Sequence, residues 1–242
     1  MSTYEAGRLS GRIALVTGAS RGIGRAVALR FALEGAKIVA FARTQGALEE
    51  LDDEMRRLGC SEATLIAEDL TDFEKIDRVG AALYERFGKL DILVGAAGIL
   101  GQLAPIGHIS PELWENVFAI NTVANWRLIR SFDPLLRQSD AGRAIFVSSG
   151  VARTYKSFWG AYAASKAALE CLVRVYAAEM SNTPLRVNLV DPGAVRTSMR
   201  AQAFPGEDPT VLKVPEEITD VFVDLATPEC KRNGEVVLAQ ER

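Results

Sequence analysis

Short apolar runs alternate along the chain with segments in which apolar residues recur every three or four positions. The short runs indicate buried strands, and the longer period indicates helices with one buried face. Strands are predicted at residues 13–16, 37–42, 63–67, 92–96, 144–147, 185–190 and 235–239. Helices are predicted after Gly22, over residues 47–58, 72–87 and 162–180, and from Pro111 towards Ile129. This alternation predicts an α/β fold with a doubly wound, mainly parallel seven-stranded sheet and helices on both faces.

The alternation runs through the chain without a linker rich in Gly, Ser or Pro and without an internal repeat. We therefore expect residues 1–242 to form one domain. Residues 194–214 are the exception, because turn-forming residues there surround apolar Met199 and Phe204 and no clean period appears. A segment of that length without regular structure is often functional, so a substrate lid is predicted at residues 194–214.

Composition excludes several other classes of protein. The 28 basic and 31 acidic residues give a formal net charge of -3, which disfavours a dedicated nucleic-acid binder. No apolar run approaches the roughly 20 residues of a membrane span, and Met1–Ser10 has no apolar signal core. Cys60, Cys171 and Cys230 lie far apart, and His108 is the single histidine. We therefore expect a cytoplasmic protein with reduced thiols, no membrane contact and no metal site.

A glycine-rich turn joins the first predicted strand to the first helix. Its sequence is Thr17-Gly18-Ala19-Ser20-Arg21-Gly22-Ile23-Gly24. Glycines permit a tight turn and a close approach of the backbone to a pyrophosphate, and the following helix presents free N–H groups. Glycines also mark ordinary turns, but the strand and helix on either side are the context that the motif requires. The turn predicts a Rossmann-type nucleotide site that includes Gly18, Ser20, Arg21, Gly22, Ile23 and Gly24.

The end of the second strand indicates which nicotinamide is bound. An NAD enzyme usually has an acidic residue there that binds the ribose 2′-hydroxyl, and this chain has none. Arg43 follows the strand, and Arg21 lies inside the glycine turn. Either arginine alone could be a solvated surface residue. Together they can clamp a 2′-phosphate, which favours NADP(H) over NAD(H).

Tyr162 and Lys166 are spaced so that both side chains lie on one helix face, about one turn apart. A phenol with a pKa near 10 is a poor base at neutral pH, but a nearby ammonium group lowers that pKa. The tyrosine can then pass a proton to or from a carbinol oxygen. A chance pair on an exposed helix would be the better interpretation if these two residues stood alone.

The glycine turn and the Tyr-x-x-x-Lys pair together resemble the short-chain dehydrogenase/reductase family of classical type, from about Leu9 to Leu238. By this resemblance Ser149 is the catalytic serine, whose hydroxyl orients the reacting oxygen, whereas Ser148 points away. Asn121 holds a water that links Lys166 to solvent, although it could instead be merely polar and buried. The cofactor contacts implied by the resemblance are Asp69, Leu70, Ala97, Gly98, Tyr162, Lys166, Pro192, Gly193, Val195 and Thr197.

The chain departs from the family pattern after the fourth strand, where Gly95-Ala96-Ala97-Gly98 replaces a segment that often begins with asparagine. Gly95 removes a side chain that usually stiffens the sheet, which puts the local rigidity in doubt. A narrower likeness to the YciK-like bacterial oxidoreductases appears in Trp159-Gly160-Ala161-Tyr162 and between Met199 and Pro209.

The resemblance implies an NADP(H)-dependent oxidoreductase that interconverts a small-molecule carbonyl and its alcohol, with Tyr162 as general acid/base. The alternative is a catalytically silent, nucleotide-sensing regulatory protein of the same fold. The resemblance also implies a homodimer or homotetramer, formed by the two long helices that carry Asn121 and Tyr162.

Overall fold

The computed structural model describes residues 7–240; residues 1–6, part of the segment inspected for a signal peptide, and residues 241–242 lie outside it. Within this range one sheet has seven strands in the order β3-β2-β1-β4-β5-β6-β7, and every neighbouring pair is parallel. The strands are β1 Ile13–Thr17, β2 Lys37–Ala42, β3 Thr64–Ala67, β4 Ile92–Gly95, β5 Arg143–Val147, β6 Arg186–Asp191 and β7 Val236–Leu238. The predicted parallel seven-stranded sheet is confirmed.

Helices connect the strands and cover both faces of the sheet. They are α1 Gly22–Leu33, α2 Gln45–Arg57, α3 Phe73–Phe87, α4 Pro111–Phe118, α5 Ala124–Arg137, α6 Val151–Thr154, α7 Gly160–Glu179, α8 Ser198–Ala203 and α9 Asp220–Ala226. One face packs against α1, α2 and α9, and the other packs against α3, α5 and α7. Burial on both faces explains why the strands are apolar runs rather than alternating patterns.

The helix predicted from Pro111 towards Ile129 begins where predicted, but it is not one continuous α-helix. The Ser110 hydroxyl caps it by accepting a hydrogen bond from Leu113 N at 3.2 Å. A π-helical turn, Ala119–Val123, then separates α4 from α5, and the helical path continues to Arg137. A π turn inserts extra backbone without changing the polar and apolar pattern enough to reveal itself in a sequence.

Residues 194–214, predicted to lack regular structure, contain helix α8, a 3-10 turn at Pro209–Val211 and a bridge between Val195 and Lys213. The Thr197 hydroxyl caps α8 by accepting a hydrogen bond from Arg200 N at 3.1 Å. Helices this short have too few turns to display a 3.6-residue period, which also explains why α6 and α9 are not apparent in the sequence.

The strand order reverses between β1 and β4, so the connections leave these neighbours in opposite directions and open a crevice at their carboxyl ends. Within residues 7–240, no helix is long and apolar enough to cross a membrane. The same range holds no cluster of His, Cys, Asp or Glu side chains arranged for a metal ion.

Candidate active site

A cleft at the carboxyl edge of the sheet brings together the predicted site residues, with one exception. Its lining includes Gly18, Ser20, Arg21, Gly22, Ile23, Gly24, Arg43, Asp69, Leu70, Ala97, Gly98, Ser149, Tyr162, Lys166, Pro192, Gly193, Val195 and Thr197. Asn121 does not line the cleft; it is fully buried behind it.

The backbone of the glycine turn requires glycine at particular positions. Gly18 and Gly22 have φ values of +69° and +57°, which favour glycine. A Cβ on Gly24 would lie 2.4 Å from the carbonyl oxygen of Gly18, so the helix packs directly on the turn. Helix α1 begins without a side-chain cap, which leaves its first N–H groups available to an anion. The turn therefore fits the pyrophosphate of a dinucleotide.

The far end of the cleft carries two arginines and one carboxylate. Arg43 follows β2 with its side chain 61% exposed, and its Nη1 lies 3.6 Å from Asp69 Oδ2. Burial acts to raise the pKa of Asp69, but hydrogen bonds from Thr71 and the charge of Arg43 outweigh it and hold the pKa below its ordinary value. Arg21 is exposed in the turn. These two guanidinium groups fit an additional phosphate on the adenosine ribose.

Ser149, Tyr162 and Lys166 meet at the opposite end of the cleft. Ser149 follows β5, while Tyr162 and Lys166 project from the first two turns of α7. The Ser149 and Tyr162 hydroxyls line the same part of the cleft, and Ser149 acts to lower the pKa of Tyr162. The Lys166 ammonium group donates to Val147 O at 2.8 Å and lies 5.8 Å from the centre of the Tyr162 ring. This constellation places a proton donor, a second hydroxyl and an ammonium group beside the cofactor cleft.

The pKa of Tyr162 is not lowered by the surrounding protein groups, contrary to the expectation from the sequence. Its pKa is raised to about 12, chiefly by burial; the Ser149 hydroxyl acts to lower the pKa, and the negative charge of Asp191 adds to the rise. Burial also lowers the pKa of Lys166 to about 8. The reason for the difference is geometric, because Lys166 binds the Val147 carbonyl instead of the phenol oxygen.

Asn121 connects two of the segments that form the cleft. Its Nδ2 donates to Ile99 O at 2.9 Å and to Ser165 Oγ at 3.0 Å, and its Oδ1 accepts from Ile99 N at 2.9 Å. A Cβ on Gly98 would lie 3.3 Å from Asn121 Oδ1 and 3.5 Å from Lys166 Nζ. Asn121 and Lys166 therefore converge on the backbone of Gly98.

The space beside Gly95 is filled by neighbouring side chains. A Cβ on Gly95 would lie 2.5 Å from Asn125 Oδ1 and 2.5 Å from Phe146 Cδ1. Asn125 Nδ2 in turn donates to Asn121 O at 2.9 Å. The side chain missing at position 95 is thus replaced by an amide from α5, and the doubt about local rigidity is answered by packing from another element.

A partly buried charge network near Tyr162 is not apparent from the sequence. Arg153 on α6 bonds to Glu170 and to Asp191, each at 2.5 Å, and the Ser148 hydroxyl donates to Glu170 at 2.6 Å. Ser148 thus points away from the Tyr162 hydroxyl, as expected. The sequence offers one indication of this network, because Glu170 lies four residues after Lys166 and so on the same face of α7. The residues that bind Glu170 come from other segments and could not be identified in this way.

Apolar side chains surround Tyr162 on its open side. They are Leu100, Leu103, Val151, Trp159, Ala163, Met199, Ala203 and Phe204. The Trp159 ring is edge-on to Tyr162, with centroids 5.9 Å apart, and lies 5.7 Å from Phe204. Arg200 lines the cleft nearby, but its guanidinium group binds both Glu207 carboxylate oxygens, at 2.6 and 2.5 Å. The sequence indicates that Trp159, Met199 and Phe204 lie near the site, but it does not reveal that Arg200 and Glu207 form an ion pair.

Comparisons with known proteins agree with this architecture. Residues 12–208 match the family model for short chain dehydrogenases. The chain is 38% identical to the uncharacterized oxidoreductase YciK of Escherichia coli K12, over 93% of this chain and 89% of the relative. It is 34% identical to an uncharacterized NAD-dependent oxidoreductase of Mycobacterium tuberculosis CDC 1551, over 91% and 90% of the two chains.

A solved structure of a similar protein has the same fold. A short chain dehydrogenase of Escherichia coli CFT073, solved in complex with NADPH, superposes with a TM-score of 0.93. The two chains are 36% identical, and the match covers 96% of this chain and 98% of the other. The similarity to YciK expected from the sequence is confirmed.

Proposed function

We propose that this chain, which belongs to the short chain dehydrogenase family of oxidoreductases, interconverts a carbonyl and an alcohol with NADP(H) as its cofactor. The observation that carries the proposal is the placement of the Ser149 and Tyr162 hydroxyls and the buried Lys166 ammonium group in one cleft. These groups lie at one end of a cleft whose other parts fit a dinucleotide. No observation within residues 7–240 favours a catalytically silent sensor, since the proton-transfer groups are in place.

In the proposed mechanism, the cleft beside Pro192 and Gly193 would hold a nicotinamide, which would provide hydride chemistry in both directions when bound. The Tyr162 hydroxyl donates its proton to the carbonyl oxygen, and the alcohol and a phenolate result. The Ser149 hydroxyl orients the same oxygen by a hydrogen bond. Lys166 is held by the Val147 carbonyl, so its ammonium group acts on the phenolate through its charge rather than by a direct hydrogen bond. Its pKa of about 8 lets it exchange protons near neutral pH. Asn121 holds Lys166 in contact with solvent through a water, as the family resemblance implies.

The preference for NADP(H) rests on Arg21 and Arg43 at the adenosine end of the cleft. A guanidinium group can bind a 2′-phosphate through two parallel hydrogen bonds. The NADPH complex of the similar Escherichia coli structure supports this preference. The Mycobacterium tuberculosis relative described as NAD-dependent does not, so the two arginines of this chain carry the argument.

The walls beside Tyr162 favour a neutral, apolar substrate. Trp159, Met199 and Phe204 present apolar surface, and the fork of Arg200 is already filled by the Glu207 carboxylate. An anionic substrate could pair with Arg200 only by displacing Glu207, whereas a neutral aromatic carbonyl can pack against Trp159 without disturbing that pair. The Lys156 ammonium group lies over the Trp159 and Phe204 rings, at 5.2 and 4.3 Å.

The proposal predicts that NADPH oxidation will be faster with benzaldehyde than with para-carboxybenzaldehyde, because only the second is charged. The Glu207→Gln variant should raise kcat/KM for the charged aldehyde about tenfold, since it frees a guanidinium group to bind the carboxylate. Glu85→Gln, an exposed change on α3, is the matched control and should leave both rates unchanged.

The outcomes of this screen separate two claims. If NADPH binds but no carbonyl in a broad panel is reduced, and no alcohol is oxidised with NADP⁺, the proposed function is wrong. If the wild-type protein reduces both aldehydes with equal kcat/KM, the proposed function stands and the preference for neutral substrates is wrong.

We propose that residues 194–214 act as a lid within the one domain predicted for residues 1–242. The segment is tied mainly to itself, by Arg196 N to Lys213 O at 2.8 Å and by the Arg200–Glu207 pair. Its polar contacts with the rest of the protein are few: Gln202 reaches Gly101 O at 3.3 Å, Gln240 donates to Ala194 O at 3.1 Å, and the Lys156 ammonium group lies 4.3 Å from the Phe204 ring. A segment with strong internal bonds and weak outward ones can move as a unit.

We predict that amide hydrogens between Met199 and Thr210 will exchange rapidly without NADPH and will become protected when NADPH binds. Hydrogen exchange measured with and without the cofactor tests this, with the amides of α7 as an internal reference. Strong protection in the cofactor-free protein that NADPH does not change would show that the segment is a fixed structural piece.

A homodimer or homotetramer formed through α5 and α7 remains part of the proposal. Trp126 on α5 and Val175 on α7 are large apolar side chains with about half of their surface exposed, which supports a contact on these helices. The cytoplasmic location expected from the sequence stays a prediction.

A further inference from the structure

Asn125 forms an unusual contact with the backbone of the π-helical turn. It is 2% exposed, and its Nδ2 donates to the carbonyl oxygen of Asn121 at 2.9 Å. In an α-helix that carbonyl would accept from the backbone N–H of residue 125, but a π turn shifts the backbone bonds to the fifth residue. The side chain of Asn125 therefore supplies the Asn121 carbonyl with a donor inside the irregular turn.

Asn125 fits this position only because residue 95 is glycine. Its Oδ1 lies 2.5 Å from the point where a Cβ on Gly95 would stand, which is too close for any side chain. Phe146 closes the same space from β5 at 2.5 Å. The two residues are therefore complementary in size: β4 has no side chain at Gly95, and the Asn125 side chain from α5 occupies the space.

The contact leads by direct hydrogen bonds to the candidate catalytic residues. The Asn121 side chain binds Ile99 N and Ile99 O, next to Gly98. It also donates to Ser165 Oγ at 3.0 Å, and Ser165 Oγ donates to the carbonyl oxygen of Tyr162 at 2.8 Å. The irregular turn thus holds both the loop after β4 and the first turn of α7.

We propose that Asn125 is a positioning residue, which fixes the π-helical turn and thereby orients Asn121 towards Ile99 and the first turn of α7. This inference rests on the proposed function for its effect on turnover. The geometric part, which is the hold on Ile99, does not depend on the reaction.

The test removes the donor while keeping the shape of the side chain. Asn125→Asp should lower kcat for carbonyl reduction about tenfold, the scale of one buried hydrogen bond, and change the Kd for NADPH by less than about threefold. Gly95→Ala should have a similar effect because its methyl group displaces Asn125. The double variant should lose far less than the product of the two single effects, since both act on one contact.

Asn188 on β6 provides a matched control. It is a buried asparagine whose Nδ2 donates to Arg232 O at 2.8 Å, and it does not line the cleft. Asn188→Asp should lower Tm without changing kcat. Equal losses of kcat in the Asn125 and Asn188 variants would overturn the inference, because the effect would then be general destabilisation.

A second measurement keeps the inference testable if the enzyme shows no turnover. The Ile99 amide donates to Asn121 Oδ1, so its hydrogen exchange should become at least about tenfold faster in Asn125→Asp. Should that variant fail to fold, Asn125→Ala gives the same readout. Unchanged protection of Ile99 in a folded Asn125 variant would overturn the positioning role, whereas faster exchange without turnover in the wild type would contradict the proposed reaction alone.

Discussion

Replacement of Tyr162 by phenylalanine is expected to lower kcat for carbonyl reduction by a factor of about 10² to 10⁴, the usual contribution of a positioned acid or base. The ring stays buried against Trp159, so the cleft should keep its shape. The transferable proton is lost, together with the hydroxyl that lies beside Ser149 in the cleft. The Kd for NADPH should change little, because the glycine turn and the two arginines are untouched.

Tyr176 on the same helix supplies the control for this experiment. It is also buried, and its hydroxyl binds Asp133 at 2.7 Å, away from the cleft. Tyr176→Phe removes the same hydroxyl from α7 and should reduce Tm while kcat is retained. If Tyr162→Phe keeps more than half of the wild-type kcat in a stopped-flow assay of NADPH oxidation, another group must be the acid.

Replacement of Arg43 by alanine should weaken NADPH binding roughly ten- to a hundredfold, since a charge-assisted hydrogen bond contributes about 1.5–3 kcal/mol. NADH lacks the 2′-phosphate and should bind with nearly unchanged Kd. The contact of Arg43 with Asp69 is long and exposed, so it stabilises the free protein little and leaves the guanidinium group available for a phosphate.

Titration of both cofactors into the wild-type protein and the variant provides the measurement. Arg57→Ala, an exposed change on α2, controls for the loss of one positive charge and should alter neither Kd. An equal loss of affinity for NADPH and NADH would mean that Arg43 does not contact the 2′-phosphate, and the preference for NADP(H) would then depend on Arg21.

The parts of the fold that are local in sequence were predicted well. Apolar runs located the seven strands, and the glycine turn and the Tyr162–Lys166 spacing predicted positions that the folded chain brings to one cleft. Both motifs lie within a few residues of chain, so their geometry follows from a single turn or a single helix face.

The features that the sequence did not reveal depend on contacts between distant segments. Arg153 meets Glu170 and Asp191 only after three elements have packed together. In the sequence, Gly95 looks like a missing side chain in β4. In the structure, the side chain of Asn125 occupies the space next to Gly95. The pKa of Tyr162 likewise depends on burial, which the residue types alone do not specify.

The all-parallel sheet also determines how the chain must acquire its cleft. No neighbouring pair of strands can form as a local hairpin, because each parallel pairing requires a crossover through a helix or a longer segment. Gly18 and Tyr162 come from opposite halves of the chain and line one cleft only after β1, β4 and β5 have joined. Such long loops must close before the pairings stabilise them, which makes folding slow compared with that of a helical bundle. A nascent chain that has completed only β1 to β3 therefore contains the glycine turn but not the walls of the cleft that follow β4, β5 and β6, so the cleft is complete only after most of the chain has been synthesised.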